Sequence, residues 1–378
     1  MTEPQENSPA LSPAPHALEN CPSCGAEIDM TGLQPFTEVA CPACGGAFTA
    51  RARFDHFEIQ SLLGEGGMGS VYQAVDTNLD REVALKVLKL ALSSNPGECE
   101  KLEREARTTA LINHPHIIKI FDFGRSQGQF YIAMELIGGG SLDDLIQTYG
   151  TVPEKMVLQV GIQVAQGLEA ALEQGLIHRD IKPANILFAD IDTAKLVDFG
   201  LAMVMSDAAQ ARGEIWGTPY YIAPEKLDEQ PEDFRSDIYS LGGTLFHALA
   251  GRPPYEAESA SLVALKQLKS RPVSLQAFAP DVSNETAYVI NRMMAKNPEK
   301  RYATYQELVE HLQFALEKAR DREFNPQEAK KIPVVEEKSP NPWMSMIMSL
   351  IVPALILLGA VALGVLYYLF PELFKAAD

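Results

Sequence analysis

The chain has few basic residues for its size. Its 378 residues include 32 Lys and Arg against 50 Asp and Glu, which gives a formal net charge of −18. A general nucleic-acid-binding protein needs a basic face to meet phosphates, so this charge excludes that class. Only five cysteines are present, too few for a secreted module held together by disulfides. The hydrophobic fraction of 46% excludes disorder throughout and is enough for one large domain or two ordinary ones.

The N-terminus lacks a secretory signal. Residues 1–20 contain four prolines and several acids, with no Lys or Arg and no apolar run. A signal peptide begins with basic residues and continues with an apolar stretch. We therefore expect residues 1–20 to form a disordered tail in the cytoplasm.

Charged residues are missing from the C-terminal region between Ser339 and Pro371, and residues 346–370 are almost wholly apolar. About 20 apolar residues in a helix suffice to cross a bilayer. Trp343 on one side and Tyr367 and Tyr368 on the other are typical of the aromatic belts at membrane interfaces. We predict a linker over 317–343, a transmembrane helix over 346–370 and a short tail over 371–378. A buried core helix is the alternative, because such helices are also apolar on every side.

Four of the five cysteines lie in two matching motifs. Cys21-Pro-Ser-Cys24-Gly and Cys41-Pro-Ala-Cys44-Gly are separated by sixteen residues. Two Cys-x-x-Cys pairs at this spacing can place four thiolates tetrahedrally around Zn²⁺. Residues 21–50 resemble a zinc ribbon, with Cys21, Cys24, Cys41 and Cys44 as the ligands of a structural zinc ion. The alternatives are a redox dithiol or a disulfide pair, and a reducing cytosol disfavours the disulfide. The stretch between the two motifs contains acidic residues and no basic ones. This composition favours a contact with protein, or a purely structural role, for the cysteine module.

A glycine-rich motif opens the region 57–316, which we predict to be one large α+β domain. Residues 64–71 read GEGGMGSV and match G-x-G-x-x-G-x-V. The motif alone is weak, since dinucleotide-binding folds also use G-x-G-x-x-G, but those folds place a helix after the glycines. Residues 71–75 predict a strand instead. The next apolar strand, residues 83–86, ends in Lys86, a residue suited to the α- and β-phosphates of a nucleotide.

Further motifs follow in a characteristic order. Residues 178–185 read HRDIKPAN, residues 198–200 read DFG and residues 223–225 read APE. Together with the glycine-rich motif, they make residues 57–316 similar to the eukaryotic-like serine/threonine protein kinases of bacteria. The resemblance implies a bilobal fold with a β-rich N-lobe and a helical C-lobe. It also implies transfer of the ATP γ-phosphate to Ser and Thr hydroxyls of proteins, the chain itself included, with two Mg²⁺ ions.

The resemblance assigns catalytic roles to four residues. Asp180 would orient the substrate hydroxyl and accept its proton, and Lys182 would contact the γ-phosphate. Lys86 would hold the other phosphates and pair with Glu105, a helical carboxylate for which Glu103 is the competing candidate. Asn185 and Asp198 would bind the Mg²⁺ ions.

The resemblance also assigns the nucleotide pocket. Backbone groups of Glu135 and Ile137, in the hinge between the lobes, would bond adenine, and Met134 would lie at the back of the pocket. The full set of nucleotide-binding positions comprises Leu63, Gly64, Gly66, Gly69, Val71, Ala84, Lys86, Met134, Glu135, Ile137, Leu187, Asn185 and Asp198.

Other positions have structural or regulatory roles by the same resemblance. Glu225 is expected to pair with Arg301, and Asp237 to brace the catalytic-loop backbone. The activation segment lacks the threonines that bacterial relatives commonly phosphorylate. Arg179 is therefore expected to meet phosphorylated Ser206 or the carboxylate of Glu214, and activation is expected to depend little on threonine phosphorylation.

Two other functions remain open for this domain: a membrane-tethered pseudokinase scaffold that presents the zinc ribbon to protein partners, and phosphotransfer to a small molecule. The intact lysine and aspartate positions disfavour the first, and the intact activation segment disfavours the second.

The expected location is the cell membrane, crossed once, with the kinase domain and zinc ribbon in the cytoplasm. Only eight residues follow the apolar segment, so we expect signals to arrive through the ribbon, the tail or membrane partners. Ala360 and Gly364 form a weak helix-contact motif that would allow a homodimer for autophosphorylation.

Overall fold

The computed structural model describes residues 18–30, 38–49, 52–89, 96–199, 219–270 and 273–324. Most of the predicted N-terminal tail, the segment 200–218 and everything from residue 325 onward lie outside this part of the chain. The predicted transmembrane helix, Ser206 and Glu214 are therefore among the residues that are not described. Within the described ranges, no helix is both long enough and apolar enough to cross a membrane.

Two short antiparallel hairpins carry the cysteine motifs. β1 (Leu18–Asn20) pairs with β2 (Glu27–Asp29), and β3 (Glu38–Ala40) pairs with β4 (Ala47–Thr49). Each hairpin turns through a glycine in the left-handed region, where a side chain would strain the backbone: φ is +73° at Gly25 and +71° at Gly45. Cys21, Cys41 and the neighbouring Ile28 and Met30 form a small buried cluster. So small a core stabilises little by itself.

A six-stranded antiparallel sheet follows, in the order β5-β6-β7-β8-β10-β9. Its strands are β5 (Ala52–Phe54), β6 (Phe57–Glu65), β7 (Gly69–Asp76), β8 (Arg81–Leu88), β9 (Ile120–Ser126) and β10 (Gln129–Met134). β7 contains the strand predicted over 71–75. β5 lies before residue 57, so the sheet begins earlier than the predicted domain. One helix, α1 (Pro96–Ala110), packs on the sheet, and its Leu102 and Ala106 are buried against β8 and β10 residues.

The C-terminal part is helical. Its helices are α2 (Leu142–Tyr149), α3 (Glu154–Glu173), α4 (Pro224–Leu227), α5 (Arg235–Ala250), α6 (Ala260–Lys269), α7 (Asn284–Met293) and α8 (Tyr305–Phe324). Ser141 and Asp144 form a capping box at the start of α2, which satisfies N–H groups that the helix leaves free. α5 is buried along nearly its whole length, and α3 packs against both α5 and α8. These contacts build the largest apolar core of the described chain.

A hairpin of β11 (Ile186–Asp190) and β12 (Thr193–Leu196) connects the sheet to the helices. On one side, Ile118 N–H donates to Leu196 O at 3.0 Å. On the other, Gly139 N–H donates to Phe188 O at 3.1 Å, and Phe188 N–H donates to Gly140 O at 2.9 Å. The segment that joins the two lobes is thus tied to the hairpin that precedes Asp198.

Candidate active site

The catalytic loop brings Asp180, Lys182 and Asn185 together. Asp180 Oδ2 accepts hydrogen bonds from Lys182 Nζ at 2.7 Å and from Asn185 Nδ2 at 3.0 Å. Asn185 Nδ2 also donates to Asp180 O at 2.8 Å, from a 3₁₀ turn over Pro183–Asn185. These bonds bring one ammonium and one amide to the same carboxylate oxygen, Asp180 Oδ2. The sequence expects Lys182 at a phosphate, and the structure places its Nζ on Asp180.

Asp237 braces the backbone of this loop, as the sequence predicts. Its Oδ2 accepts the His178 N–H at 2.7 Å and its Oδ1 accepts the Arg179 N–H at 2.8 Å. Asp237 lies in the first turn of α5 and is 1% exposed, and burial raises the pKa of its carboxyl. Arg179 has φ of +66°, an unfavourable conformation for a residue with a side chain. The buried carboxylate therefore holds the loop in a strained shape just before Asp180.

His178 has a connecting role that sequence reasoning missed, because the motif drew attention only to its charged residues. Its Nδ1 accepts the Asp180 N–H at 3.2 Å, so the ring proton lies on Nε2, which donates to Val197 O at 2.9 Å. The ring also packs edge-on against Phe199, with centroids 4.6 Å apart. A fully buried imidazole thus joins the loop that carries Asp180 to the segment that carries Asp198.

Lys86 and Asp198 form an ion pair. Lys86 lies in the second half of β8, its Nζ is 2.7 Å from Asp198 Oδ1, and its side chain is only 7% exposed. Burial raises the pKa of the Asp198 carboxyl, but the Lys86 ammonium outweighs it and holds that pKa below its ordinary value. Asp198 also has φ of +65°, a second strained position in the site. A carboxylate at this position stays ionised at neutral pH and can serve as a metal ligand.

Burial distinguishes the two candidate glutamates of α1. Glu105 is 7% exposed and lies on the buried stripe of the helix with Leu102 and Ala106. The Glu103 side chain is 44% exposed and lies 3.9 Å from Arg125 Nε at the surface. The helix therefore turns Glu105, rather than Glu103, toward the sheet that carries Lys86.

The glycine-rich turn joins β6 to β7. Gly66 N–H donates to Gly69 O at 2.9 Å, and Gly69 N–H donates back to Gly66 O at 3.3 Å. A Cβ at Gly69 would lie 2.1 Å from Val87 O, so only glycine allows this close approach of β7 to β8. A Cβ at Gly64 or at Gly66 would meet no atom within 4 Å. Leu63, just before the turn, is 49% exposed.

The apolar residues predicted to contact adenine share one cluster between the sheet and β11. Its buried members include Ala84, Met134 and Val197, and the partly buried Val71, Ile137 and Leu187 pack against them. In the described ranges, neither the Ile137 N–H nor the Glu135 C=O makes a backbone hydrogen bond. One donor and one acceptor without a backbone partner in the described chain thus lie beside this apolar cluster, an arrangement that suits a flat heterocycle with a polar edge.

Glu225 and Arg301 form the predicted buried pair. Arg301 Nη1 and Nη2 donate to Glu225 Oε1 and Oε2 at 2.6 and 2.7 Å, and Ser236 Oγ donates to Oε1 at 2.7 Å. Arg301 Nη1 also donates to Arg235 O at 2.8 Å. The bidentate pair fixes the end of the APE motif against α5 and the segment before α8.

Arg179 contacts a residue that the sequence did not indicate. Its Nε lies 3.5 Å from Glu232 Oε2, in the segment just before α5. Burial raises the pKa of the Glu232 carboxyl, which Lys226 and Arg179 oppose. The two partners expected from the sequence lie outside the described residues. Glu232 gave no sequence signal, since it stands in an ordinary acidic loop.

The four cysteines of the hairpins converge. Cys21 Sγ lies 3.6 Å from Cys44 Sγ, and Cys24 Sγ lies 3.7 Å from Cys41 Sγ. All four sulfurs lie within 4.8 Å of one another. A tetrahedral zinc site with Zn–S bonds of about 2.3 Å separates its sulfurs by about 3.8 Å, so the donor set and spacing fit Zn²⁺. Gly46 N–H points at Cys44 Sγ at 3.4 Å, as expected for a thiolate.

Comparison with known proteins agrees with this geometry. A family model described as a protein kinase domain matches residues 57–314. The serine/threonine-protein kinase PknE of Mycobacterium bovis is 39% identical over 255 residues, which cover 67% of this chain and 44% of PknE. The serine/threonine-protein kinase PknB of Mycobacterium leprae is 35% identical over 260 residues, which cover 67% of this chain and 42% of PknB. The crystal structure of the Mycobacterium tuberculosis PknI kinase domain is 29% identical, with a TM-score of 0.57, and the match covers 70% of this chain and 97% of that chain.

The fold is that of a protein kinase, with a β-sheet N-lobe and a helical C-lobe. The chain belongs to the protein kinase family, and its domain is of the bacterial serine/threonine type found in PknB and PknE. The prediction of a bilobal protein kinase domain is thereby confirmed. The chain spans less than half the length of the curated relatives it matches.

Proposed function

We propose that this chain transfers the γ-phosphate of ATP to Ser and Thr hydroxyls of proteins, itself included. The observation that carries the proposal is the ordered set of Asp180, Lys182 and Asn185. His178 joins this set to the segment of Asp198, which in turn pairs with Lys86. Phosphoryl transfer needs mainly positioning and charge neutralisation, and these groups supply both.

Each residue of the set has a definite task in this proposal. Asp180 accepts the hydrogen bond of the substrate hydroxyl and orients it toward the phosphate. Lys182 exchanges its bond to Asp180 for one to the γ-phosphate, and Lys86 holds the α- and β-phosphates. Both lysines contact an acidic residue of the site: Lys182 contacts Asp180, and Lys86 contacts Asp198.

Asp198 and Asn185 are the residues that would hold Mg²⁺. Asn185 directs its Nδ2 at Asp180, which leaves its Oδ1 for a cation, and Asp198 offers a carboxylate with a lowered pKa. Oxygen ligands of this kind suit Mg²⁺. When bound, two Mg²⁺ ions would neutralise charge on the β- and γ-phosphates.

For the hairpin module we propose a structural Zn²⁺ held by Cys21, Cys24, Cys41 and Cys44. The crossed pairs of sulfurs support this, because each pair takes one cysteine from each hairpin. A metal would therefore join the two hairpins and stabilise the module, whose apolar core is small. We further propose that the module contacts protein partners, since it carries no basic patch.

For the C-terminal region we propose a single membrane anchor over residues 346–370, with the kinase domain and ribbon in the cytoplasm. The absence of charge between residues 339 and 371 supports this. Anchoring raises the local concentration of the chain, which would favour a homodimer and phosphorylation between copies.

The proposed activity is tested by incubating the purified chain with labelled ATP, Mg²⁺ and a generic protein substrate. We expect labelled phosphoserine or phosphothreonine in the wild type and none in Asp180→Asn. The isosteric change keeps the loop hydrogen bonds and removes the proton acceptor. A wild-type chain that binds ATP without transferring phosphate would instead show a pseudokinase scaffold.

A further inference from the structure

The hinge residue Glu135 is held by two groups outside the adenine slot. Its Oε1 accepts hydrogen bonds from Lys195 Nζ at 2.6 Å and from Lys119 N–H at 2.8 Å. The Glu135 N–H in turn donates to Lys119 O at 3.0 Å. Lys119 thus holds the backbone of Glu135 by a hydrogen bond, and the Lys195 ammonium, from a distant part of the chain, holds its carboxylate.

Lys195 approaches the hinge from the β11–β12 hairpin. This hairpin forms the floor of the apolar region where adenine is expected to bind. Lys195 lies on β12, where it pairs in register with Leu187 of β11. Leu187 packs in the apolar cluster with Ala84 and Met134. Because Lys195 and Leu187 are cross-strand partners, the salt bridge ties the hinge to the strand pair that forms the floor.

The far end of the hinge is fixed to the same strand pair. Gly139 N–H and Gly140 O bond the backbone of Phe188, the residue that follows Leu187. The hinge is therefore attached to the floor hairpin at its start, through Glu135 and Lys195, and at its end, through the two glycines. Between these attachments lie the Glu135 C=O and the Ile137 N–H, which make no backbone hydrogen bond within the described part of the chain.

We propose that Lys195 is a positioning residue for the nucleotide: by holding the Glu135 carboxylate, it aims the hinge backbone at the polar edge of adenine. The inference rests on the proposed ATP-dependent activity. The Lys195 and Glu135 side chains are 16% and 24% exposed, so their pair is shielded from water and stronger than a surface ion pair. In this proposal Lys195 acts through Glu135 and not by a contact with the nucleotide.

The proposal predicts a change in nucleotide affinity with little change in turnover. We expect Lys195→Met to raise the KM and Kd for ATP roughly tenfold, because a charge-assisted bond is lost and the Glu135 carboxylate is left unpaired. The kcat should stay within about twofold of wild type, since no group that acts in the transition state is touched. Lys195→Arg should restore most of the affinity.

Lys119→Met is the matched control. It removes the same charge from an exposed side chain beside Glu135, while the backbone groups that bond Glu135 stay in place. We expect wild-type KM and Kd values. Glu135→Gln is a second variant for the same bond, which keeps the size of the side chain and should raise the Kd for ATP in the same direction as Lys195→Met.

A purine nucleotide analogue distinguishes positioning from general stability. Purine riboside triphosphate lacks the exocyclic amine that would donate to the Glu135 C=O. If Lys195 aims this carbonyl, Lys195→Met should weaken ATP several-fold more than the analogue. Equal weakening of both nucleotides, or an ATP Kd within about twofold of wild type in both Lys195→Met and Glu135→Gln, overturns the proposal. Because Kd is measured directly, the result stands even if phosphate transfer, and with it the proposed function, fails.

Discussion

Lys86 Nζ and Asp198 Oδ1 lie 2.7 Å apart across the cleft between the sheet and the β11–β12 hairpin. One of these residues is expected at the phosphates of ATP and the other at its metal, and in the structure they form an ion pair with each other. The pair keeps both side chains ordered in a partly buried site. It also means that each residue influences stability as well as the proposed chemistry.

Loss of either partner should therefore cost activity and stability together. We expect Lys86→Met to abolish phosphate transfer and to lower the free energy of unfolding by about 1–2 kcal/mol, because Asp198 loses its counter-charge. The cost is below that of a fully buried pair, since the Asp198 side chain is 24% exposed. Urea denaturation measures the change.

A double-mutant cycle isolates the interaction itself. Asp198→Asn in the Lys86→Met background should cost less stability than Asp198→Asn alone, with a coupling of about 1 kcal/mol. Strictly additive effects would contradict the ion pair.

The buried Glu225–Arg301 pair predicts a specific dependence of stability on pH. Burial raises the pKa of the Glu225 carboxyl, but Arg301 outweighs burial and holds it below its ordinary value of 4.5. A carboxyl with a depressed pKa stabilises the fold above its unfolded pKa and loses that effect as the pH falls through its folded pKa. Wild-type stability should therefore decrease as the pH falls below 4.5, and Glu225→Gln should lack this component.

Urea denaturation at a series of pH values checks this prediction. The difference in free energy of unfolding between wild type and Glu225→Gln should be largest near neutral pH and shrink in acid, while other carboxylates cancel in the comparison. A difference that does not change with pH would show that Glu225 titrates alike in the folded and unfolded chain.

The contact between Arg179 and Glu232 predicts that activity is independent of threonine phosphorylation in the activation segment. A carboxylate, that of Glu232, lies 3.5 Å from this arginine, and a phosphate is therefore not needed to supply the negative charge. Phosphatase-treated wild type should keep most of its activity, and Glu232→Gln should lose roughly tenfold, because Arg179 loses a charge-assisted contact. Initial rates after mass-spectrometric confirmation of dephosphorylation test this.

Glu229→Gln is the control for that variant, since Glu229 is an exposed acid in the same loop. It should behave as wild type. The prediction is wrong if the dephosphorylated wild type is inactive and phosphorylation of Thr218, the threonine directly before Pro219, restores its activity.

Sequence motifs predicted the residues of the active site better than they predicted the contacts among them. Asp180, Lys182 and Asn185 lie within one short loop, so their proximity follows from chain connectivity. Lys195 and Glu135 are 60 residues apart, and nothing in either local pattern indicates that they meet.

The same limit applies to two other contacts. Lys86 forms an ion pair with Asp198 from the other lobe, and Arg179 lies 3.5 Å from Glu232, in a loop with no motif. β5 was also missed as part of the sheet, because a three-residue strand is too short to show a period. Fold class followed from motif order, whereas side-chain partners depended on packing between distant segments.

The cysteine cluster predicts one zinc ion per chain. The wild-type protein purified without added metal should contain about one equivalent of Zn²⁺ by elemental analysis, and Cys44→Ser should lose most of it, because a structural site needs all four ligands. Cys99→Ser is the matched control, as Cys99 lies outside both motifs, and it should keep the metal. A wild-type chain without zinc, or a Cys44→Ser chain with a full equivalent, would contradict the assignment.

Gly139 provides a steric test of the attachment between the hinge and β11. A Cβ at this position would lie 2.2 Å from Phe188 O, closer than real contacts allow, whereas a Cβ at Gly138 meets nothing within 4 Å. Gly139→Ala must therefore push the hinge away from β11 and break the bond from its N–H to Phe188 O. We expect it to lower the free energy of unfolding by about 1–3 kcal/mol, the usual cost of overpacking. It should also weaken ATP binding, because the Ile137 N–H moves with the hinge. Gly138→Ala, one residue earlier, should leave ATP affinity near that of wild type, and equal effects of the two substitutions would show that the close approach to Phe188 does not position the hinge.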